Sequence, residues 1–503
     1  MKKLTTLLVA ACICIGVNAQ SLFGPGHHII CYSTHPVDTT VARPHNNAHA
    51  LIRVAPDTLI SYINRAKYTI DIALYDYVED SLWYEGGYVP PIHIAINNAY
   101  KRGVKIRWIH NYSDTSKYGG GANAFKNAIT PNYGLDSINP AIPTLPSPSS
   151  GGYTIMHNKF VVIDGTTSDP NAAIVWTGCM NWEPGQVDKD INNIIIFQDS
   201  ALAHNYLKEF NQMWGDTVEG GVPNTINSRF GAAKKVVAAH NFYIDGHQVE
   251  LWFSPEDTMS NHIISTENKA KSEIDFEMFT FTLSADDAPI KSAISRGVKV
   301  YGMMDQSSIT YTPYSDLSGP MGANLLVYSG AGTGYTSYLS NSICHSKYMI
   351  VDPCDMAADP MVLTGSHNWS SGANTNNDEN SVIVHDSSIA NQYYQAFHSD
   401  FYAVSEGTIL KQTCIPMGIN EVRNIDEVTF YPNPAGNNLK VLLNIPGNNV
   451  QYRVYNVMGQ ELLSGKLNAE YVNTIDISSI TSGMYVLVVN SDAKEFTSKF
   501  IKQ

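Results

Sequence analysis

The sequence predicts an α/β protein of two duplicated domains followed by a small C-terminal β-sandwich. Three observations carry that prediction. They are an internal repeat running from about residue 50 to 400, a change from helical to strand period at the same place in each copy, and a shift of composition near residue 428. At 503 residues the chain exceeds one ordinary core. Its 44% apolar and 16% charged residues are a globular composition.

The repeat is visible residue by residue. Leu59 to Tyr75 is answered by Ile263 to Phe279, each an apolar pattern of helical spacing that passes through Ala-Lys (Ala66-Lys67, Ala270-Lys271) into alternating apolar residues. A second helix and strand follow, Ala99-Tyr100-Lys101-Arg102-Gly103-Val104-Lys105-Ile106 answering Ile294-Ser295-Arg296-Gly297-Val298-Lys299-Val300. The glycine closes the helix, and the β-branched residues after it begin the strand. Helices alternating with strands in this way predict two α/β domains, over 20–240 and 241–410. A linker is expected over 411–427. From 428 to 503 short strands and turns predict a β-sandwich.

Residues 1–19 have the form of a signal peptide, with Lys2 and Lys3, an apolar run, and Val17-Asn18-Ala19 as cleavage site. The alternative is a lipoprotein box at Val9-Ala10-Ala11-Cys12. No later stretch is apolar for long enough to cross a bilayer, which disfavours a membrane-anchored transferase and predicts a soluble mature protein. Removing Lys2 and Lys3 takes the formal charge from −14 to −16, a poor surface for long nucleic acids. Five cysteines remain: Cys31, Cys179, Cys344, Cys354 and Cys414. Ten extended residues span about 33 Å, so Cys344 and Cys354 bridge only if the chain doubles back. Cys354 with Cys414 is a conceivable pair. No spacing is a zinc pattern, and His45 and His49, with no third ligand, are expected to be solvent-exposed loop histidines. Gly119-Gly120-Gly121 lacks the Lys-Ser/Thr of a phosphate loop.

The chemistry lies in two motifs, Met156-His157-Asn158-Lys159-Phe160-Val161-Val162-Ile163-Asp164 and Cys344-His345-Ser346-Lys347-Tyr348-Met349-Ile350-Val351-Asp352. Residues two apart on a strand share a face, so each histidine stands beside its lysine. Asp164 and Asp352, an odd step away, are expected to be structural residues at the turns they begin. Glycines follow each histidine by 21 and 20 residues, in Thr177-Gly178-Cys179-Met180-Asn181-Trp182 and Thr364-Gly365-Ser366-His367-Asn368-Trp369. Gly178 and Gly365 allow close backbone approach, and Asn181 and Asn368 supply amide donors. Two lysines and two asparagines would cradle one phosphoryl group, with the histidines as nucleophile and acid on opposite sides of phosphorus. Trp182 and Trp369 line the cleft or pack against the motif strands.

This constellation resembles the phospholipase D superfamily, whose H-x-K-x4-D motif occurs twice in two-domain members. The resemblance implies an active site at the domain interface, a phosphohistidine intermediate, and no metal or cofactor. It favours His157 as nucleophile and His345 as acid and base, and it makes Glu379 the carboxylate that orients a catalytic histidine. Cys179 stands where the second copy has Ser366, which weakens one hydrogen bond to substrate. The counterpart of Glu379 is the neutral Asn192, and Asp190, two residues earlier, is expected to supply the missing charge. The tail resembles the C-terminal sorting domain of type IX secretion through Tyr431-Pro432-Asn433-Pro434, Tyr455-Asn456-Val457-Met458-Gly459 and Ser482-Gly483-Met484-Tyr485. That implies the type IX machinery as partner and export across the outer membrane. A secreted, monomeric hydrolase of phospholipid head groups is expected, with a nuclease of the same superfamily or a non-catalytic surface-binding protein as alternatives.

Overall fold

The computed structural model describes residues 28–41, 47–77, 92–112, 138–149, 155–330, 342–405 and 428–502, apart from single positions and short loop segments within those spans. The expected signal peptide, His45, the Gly119-Gly120-Gly121 run, Cys414 and the linker lie outside the described residues.

Each half builds one eight-stranded mixed sheet. The first contains β1 (Ile29–Ser33), β2 (His49–Ala50), β3 (Thr69–Leu74), β4 (Lys105–His110), β5 (Thr144–Pro146), β6 (Lys159–Ile163), β7 (Ile174–Gly178) and β8 (Asn193–Phe197), in the order β2-β1-β8-β7-β6-β3-β4-β5. The second contains β9 (Asn241–Ile244), β10 (His247–Ser254), β11 (Glu273–Met278), β12 (Lys299–Asp305), β13 (Leu325–Tyr328), β14 (Lys347–Val351), β15 (Met361–Gly365) and β16 (Glu379–Val384), in the order β13-β12-β11-β14-β15-β16-β10-β9. The duplicated series is β3-β4-β6-β7-β8 and β11-β12-β14-β15-β16. In each, the first two strands are parallel across a helical crossover and the rest antiparallel.

Local chemistry sets these boundaries. Gly103 and Gly297 end their helices at φ +93° and +90°, a conformation that costs glycine least. Helix Ser200–Trp214 is capped by Asp199, which accepts from Leu202 N, and ends on left-handed Gly215. Strands β6, β7 and β8 are buried along their whole length because both faces of the sheet are covered, so they read as continuous apolar runs.

One central core joins the halves. It gathers Phe160, Val162, Val175 and Ile195 from the first sheet and Tyr348, Ile350, Val362 and Val382 from the second around the helices Ser200–Trp214 and Ser387–Val404. The outer face of the first sheet is covered by helices Ala55–Arg65 and Ile92–Lys101. The outer face of the second is covered by Met259–Lys269 and Ala288–Ser295.

The motif aspartates hold the repeated helix-to-strand turns. The Asp164 carboxylate accepts from the backbone N–H of Lys67, Tyr68 and Thr69, and Asp352 accepts from Lys271, Ser272 and Glu273. Each sits at positive φ, +51° and +52°, which turns its carboxylate back onto the start of the neighbouring strand. The spacing of the motif thus matches one strand plus one residue that ties it to its neighbour.

The tail is a two-sheet unit of β17 (Val428–Tyr431), β18 (Asn438–Leu443), β19 (Val450–Asn456), β20 (Glu461–Leu467), β21 (Val472–Asp476), β22 (Gly483–Ser491) and β23 (Lys494–Lys502). Sheets β17-β18-β21 and β20-β19-β22-β23 enclose Leu439, Val441, Val454, Leu487 and Phe500. No helix among the described residues is long and apolar enough to cross a membrane. Cys354 is disulfide-bonded, and Cys31, Cys179 and Cys344 are buried free thiols.

Candidate active site

The two motifs meet at the seam between the sheets. Backbone bridges tie each motif to the other half: His157 N donates to Asp378 O at 2.9 Å, and His345 N to Ile191 O at 2.9 Å. A second reciprocal pair lies just behind. Asn193 Nδ2 donates to Thr364 Oγ1 at 2.6 Å, and Asn380 Nδ2 to Thr177 Oγ1 at 2.7 Å. Both histidines and both lysines are buried.

Glycine is required at the strand ends that close the seam. Gly178 and Gly365 have φ of +140° and +151°, and a Cβ there would lie 2.3 Å from Asn193 O and 2.1 Å from Asn380 O. The next residue in each copy is thereby turned onto the adjacent strand.

Each histidine is oriented by a residue from the opposite half. His157 Nδ1 lies 2.7 Å from Glu379 Oε2, and that oxygen also accepts from Ser366 Oγ at 2.7 Å. Asn377 Nδ2 donates to the other carboxylate oxygen at 3.0 Å. On the symmetry-related side His345 Nδ1 lies 2.9 Å from Asn192 Oδ1, which Cys179 Sγ approaches at 3.5 Å. The expected charge from Asp190 does not reach His345. Its carboxylate accepts from Ile343 N at 3.0 Å and from Gln186 Nε2 at 3.1 Å. The expectation failed because strand alternation begins only at Asn193, and the amide oxygen of Asn192 accepts an imidazole N–H without a charge. Ser366 and Cys179, expected to face substrate, are instead engaged with the histidine partners Glu379 and Asn192.

The lysines are poised alike. Lys159 Nζ donates to His157 O at 2.8 Å and lies 4.9 Å from the ring centre of Tyr75. Lys347 Nζ donates to His345 O at 2.7 Å and lies 5.0 Å from that of Phe279. Tyr75 and Phe279 also pack on the imidazoles, with centroids 4.8 and 5.0 Å away. These aromatics were not singled out in the sequence, although they close the two repeated segments at equivalent positions. Asn181 and Asn368 each bury a side-chain oxygen with no hydrogen-bond partner among the described residues. Trp182 and Trp369 are buried, Trp182 against Trp108 and Trp369 against Phe281, and belong to the core.

Burial lowers the histidines and lysines, because it penalises their charged forms. His157 falls to about 4, with Glu379 opposing the shift and Lys159 adding to it. His345 is pushed well below its ordinary value, with burial, Lys347 and Lys159 all acting in one direction. Glu379 is held at about 2 because His157 and Lys159 outweigh its burial. His157 is therefore neutral beside an anionic carboxylate, with Nδ1–H directed to Glu379 and the Nε2 lone pair free. Among the described residues no three metal-ligating side chains converge.

Two His-Lys pairs converge across a duplicated seam, the arrangement expected of a phospholipase D-like site. The family model described as cardiolipin synthase, PLD-like domain, matches residues 59–214 and 263–401, more than half of the chain. The chain belongs to this phospholipase D-like family. A secretion system C-terminal sorting domain matches residues 429–503 and marks the protein for type IX export, to the cell surface or the medium.

The chain is similar to the mitochondrial cardiolipin hydrolases of Xenopus laevis, 38% identical over 65 residues, and Xenopus tropicalis, 37% over 65. That stretch is 13% of this chain and spans 27% of each relative. Among solved structures it resembles the phosphatidylserine synthase of Haemophilus influenzae, at 13% identity and TM-score 0.46, over 69% of this chain and 84% of that one. It also resembles Nuc, a phospholipase D family member of Salmonella typhimurium, at 22% identity and TM-score 0.26, over 31% and 94%.

Proposed function

We propose that the protein is an exported, metal-independent phospholipase D-type hydrolase that cleaves phospholipid head-group phosphodiesters. The observation that carries this reading is the pairing of His157 with Glu379 and of His345 with Asn192 across the seam, each imidazole beside a buried lysine. In the first step His157 Nε2 attacks phosphorus, the bond to the leaving alcohol oxygen breaks, and His345, which takes up a proton at Nε2 as the anionic phosphodiester binds beside it, gives that proton to the oxygen. Positive charge spreads over the His157 ring as the phosphorus–nitrogen bond forms, and Glu379 stabilises it through Nδ1. In the second step His345 Nε2 takes a proton from water, hydroxide attacks phosphorus, and the phosphorus–nitrogen bond breaks to release the phosphomonoester. Lys159, Lys347, Asn181 and Asn368 hold the phosphoryl oxygens throughout.

The asymmetry of the histidine partners favours these roles. A carboxylate suits the histidine that becomes cationic in a covalent intermediate. A neutral amide leaves His345 a stronger acid once protonated, suited to giving its proton to an alkoxide. The choice of lipid over nucleic acid draws support from the formal charge of −14 and from Asp76 and Glu183 on the Lys159 side of the site.

The test is to incubate the exported protein, with chelator present, separately with phosphatidylcholine vesicles and with single- and double-stranded DNA. Choline release without DNA cleavage is expected. DNA cleavage without choline release would replace this reading with a nuclease, and no turnover of either would favour a binding protein.

The pH dependence follows from the buried charges. Burial brings Lys159 down to about 7 and Lys347 to about 8, so the ammonium that binds phosphate is present below those values and lost above them. His157 gains its proton, and loses its lone pair, near pH 4. We expect kcat/KM, which reports the free enzyme, to be greatest on the acid side of neutrality and to fall as the pH rises through the lysine values, because His345 must also carry a proton to give to the leaving group. A kcat/KM still rising at about pH 9 would contradict the lysine assignment.

A further inference from the structure

A buried lysine outside the motifs ties the connector between the domains to the His157–Glu379 pair. Lys234 follows the short turn Gly231–Ala233 and has no exposed side-chain surface. Its Nζ lies 2.5 Å from Glu209 Oε1, 3.1 Å from Glu256 Oε2 and 3.2 Å from Asp378 Oδ1, and donates to Ser254 O at 2.7 Å. Glu209 belongs to the first half, and Ser254, Glu256 and Asp378 to the second. Gly231 N adds a hydrogen bond to Asp378 Oδ1 at 2.7 Å.

Asp378 is the residue before Glu379, and its own backbone brackets His157. Its carbonyl accepts from His157 N at 2.9 Å, and its N–H donates to Ile155 O at 3.1 Å. The duplicated counterpart shows what the side chain adds. In the first half Ile191 makes the same two backbone bonds, with Ile343 O at 3.0 Å and His345 N at 2.9 Å, through a residue with no carboxylate. The backbone bridge therefore does not need Asp378's charge. That charge serves to fix the bridge to Lys234, and it does so only under His157.

We propose that Lys234 is a positioning residue for the nucleophile, acting through Asp378 to hold the His157–Glu379 pair in register. Removing the ammonium takes away the cation that Glu209, Glu256 and Asp378 share, and of the three Asp378 is the one whose backbone is hydrogen-bonded to His157. This inference rests on the phosphohistidine reading above, so its test includes a measurement that needs no substrate.

The wild type and the variants Lys234→Met, Lys234→Arg and Asp378→Asn would be compared in two ways. Hydrolysis of bis(p-nitrophenyl) phosphate gives kcat and KM. Nitrogen-15 histidine NMR gives the Nδ1–H resonance of His157, assigned by its loss in His157→Ala. We expect Lys234→Met and Asp378→Asn to lower kcat by about 10- to 100-fold with KM nearly unchanged, and to shift the His157 resonance, while Lys234→Arg keeps most of both. Folded variants with wild-type kcat and an unmoved resonance would overturn the inference. If Lys234→Met does not fold, the near-isosteric Asp378→Asn decides alone by the same readouts. If the wild type hydrolyses no phosphodiester, the functional reading fails, and the resonance still decides the positioning role.

Discussion

His157→Ala is expected to abolish turnover, by a factor on the order of 10⁵ or more, because no other group can form the covalent bond to phosphorus. His345→Ala should behave differently with an activated substrate such as bis(p-nitrophenyl) phosphate. The p-nitrophenolate leaves without a proton, so the first step survives, whereas water attack lacks its base. A phosphoenzyme should therefore accumulate on His345→Ala and be absent from His157→Ala, as read by quenching in alkaline denaturant with radiolabelled substrate. Accumulation on His157→Ala alone would reverse the two roles. The wild-type structure favours the stated direction because Glu379, held at about 2, is fully ionised beside His157, while His345 faces an uncharged amide.

Glu379→Gln is expected to lower kcat by about 10³- to 10⁴-fold, the size of effect seen when a carboxylate that fixes a catalytic imidazole is made neutral. Three contacts explain why the loss is not absorbed locally. Glu379 is completely buried, receives Ser366 Oγ and Asn377 Nδ2, and supplies the anion that keeps His157 in the Nδ1–H tautomer. A glutamine there can present an N–H to Nδ1, which selects the wrong tautomer and removes the Nε2 lone pair. Asp190→Asn, by contrast, should leave turnover close to wild type, since Asp190 holds the backbone of Ile343 and touches neither imidazole. Steady-state kinetics on the two variants separate these cases. A severe loss in Asp190→Asn with little effect in Glu379→Gln would show that the geometry has been misassigned.

These contrasts mark the boundary of what linear sequence can carry. The duplication, the helix-to-strand changes, the two His-x-Lys pairs and the sandwich tail were all legible, because each depends on residues near one another in the chain. Periodicity, glycine at helix ends and motif spacing are local quantities. The aspartates of the motifs were expected at the turns they begin, and the turn whose backbone they hold is that of the preceding helix and strand, nearly a hundred residues earlier for Asp164.

Contacts that cross the seam were not legible. Strand parity suggested Asp190 as the partner of a histidine, but parity holds only where a strand is regular, and the chain before Asn193 is not. Ser366 and Cys179 sit beside glycines of positive φ, which turn them from the cleft onto Glu379 and Asn192, a rotation no pattern of residue types announces. Lys234 lies in a connector with no motif, and its meaning exists only where Glu209, Glu256 and Asp378 converge.

The sequence by itself therefore determined the duplicated architecture and the two His-x-Lys pairs, since those follow from local repetition and residue chemistry. Tertiary structure alone decided which histidine faces Glu379 and that the other faces the amide of Asn192. Electrostatic pairing depends on distances of a few ångströms between residues more than two hundred positions apart, as with His157 and Glu379.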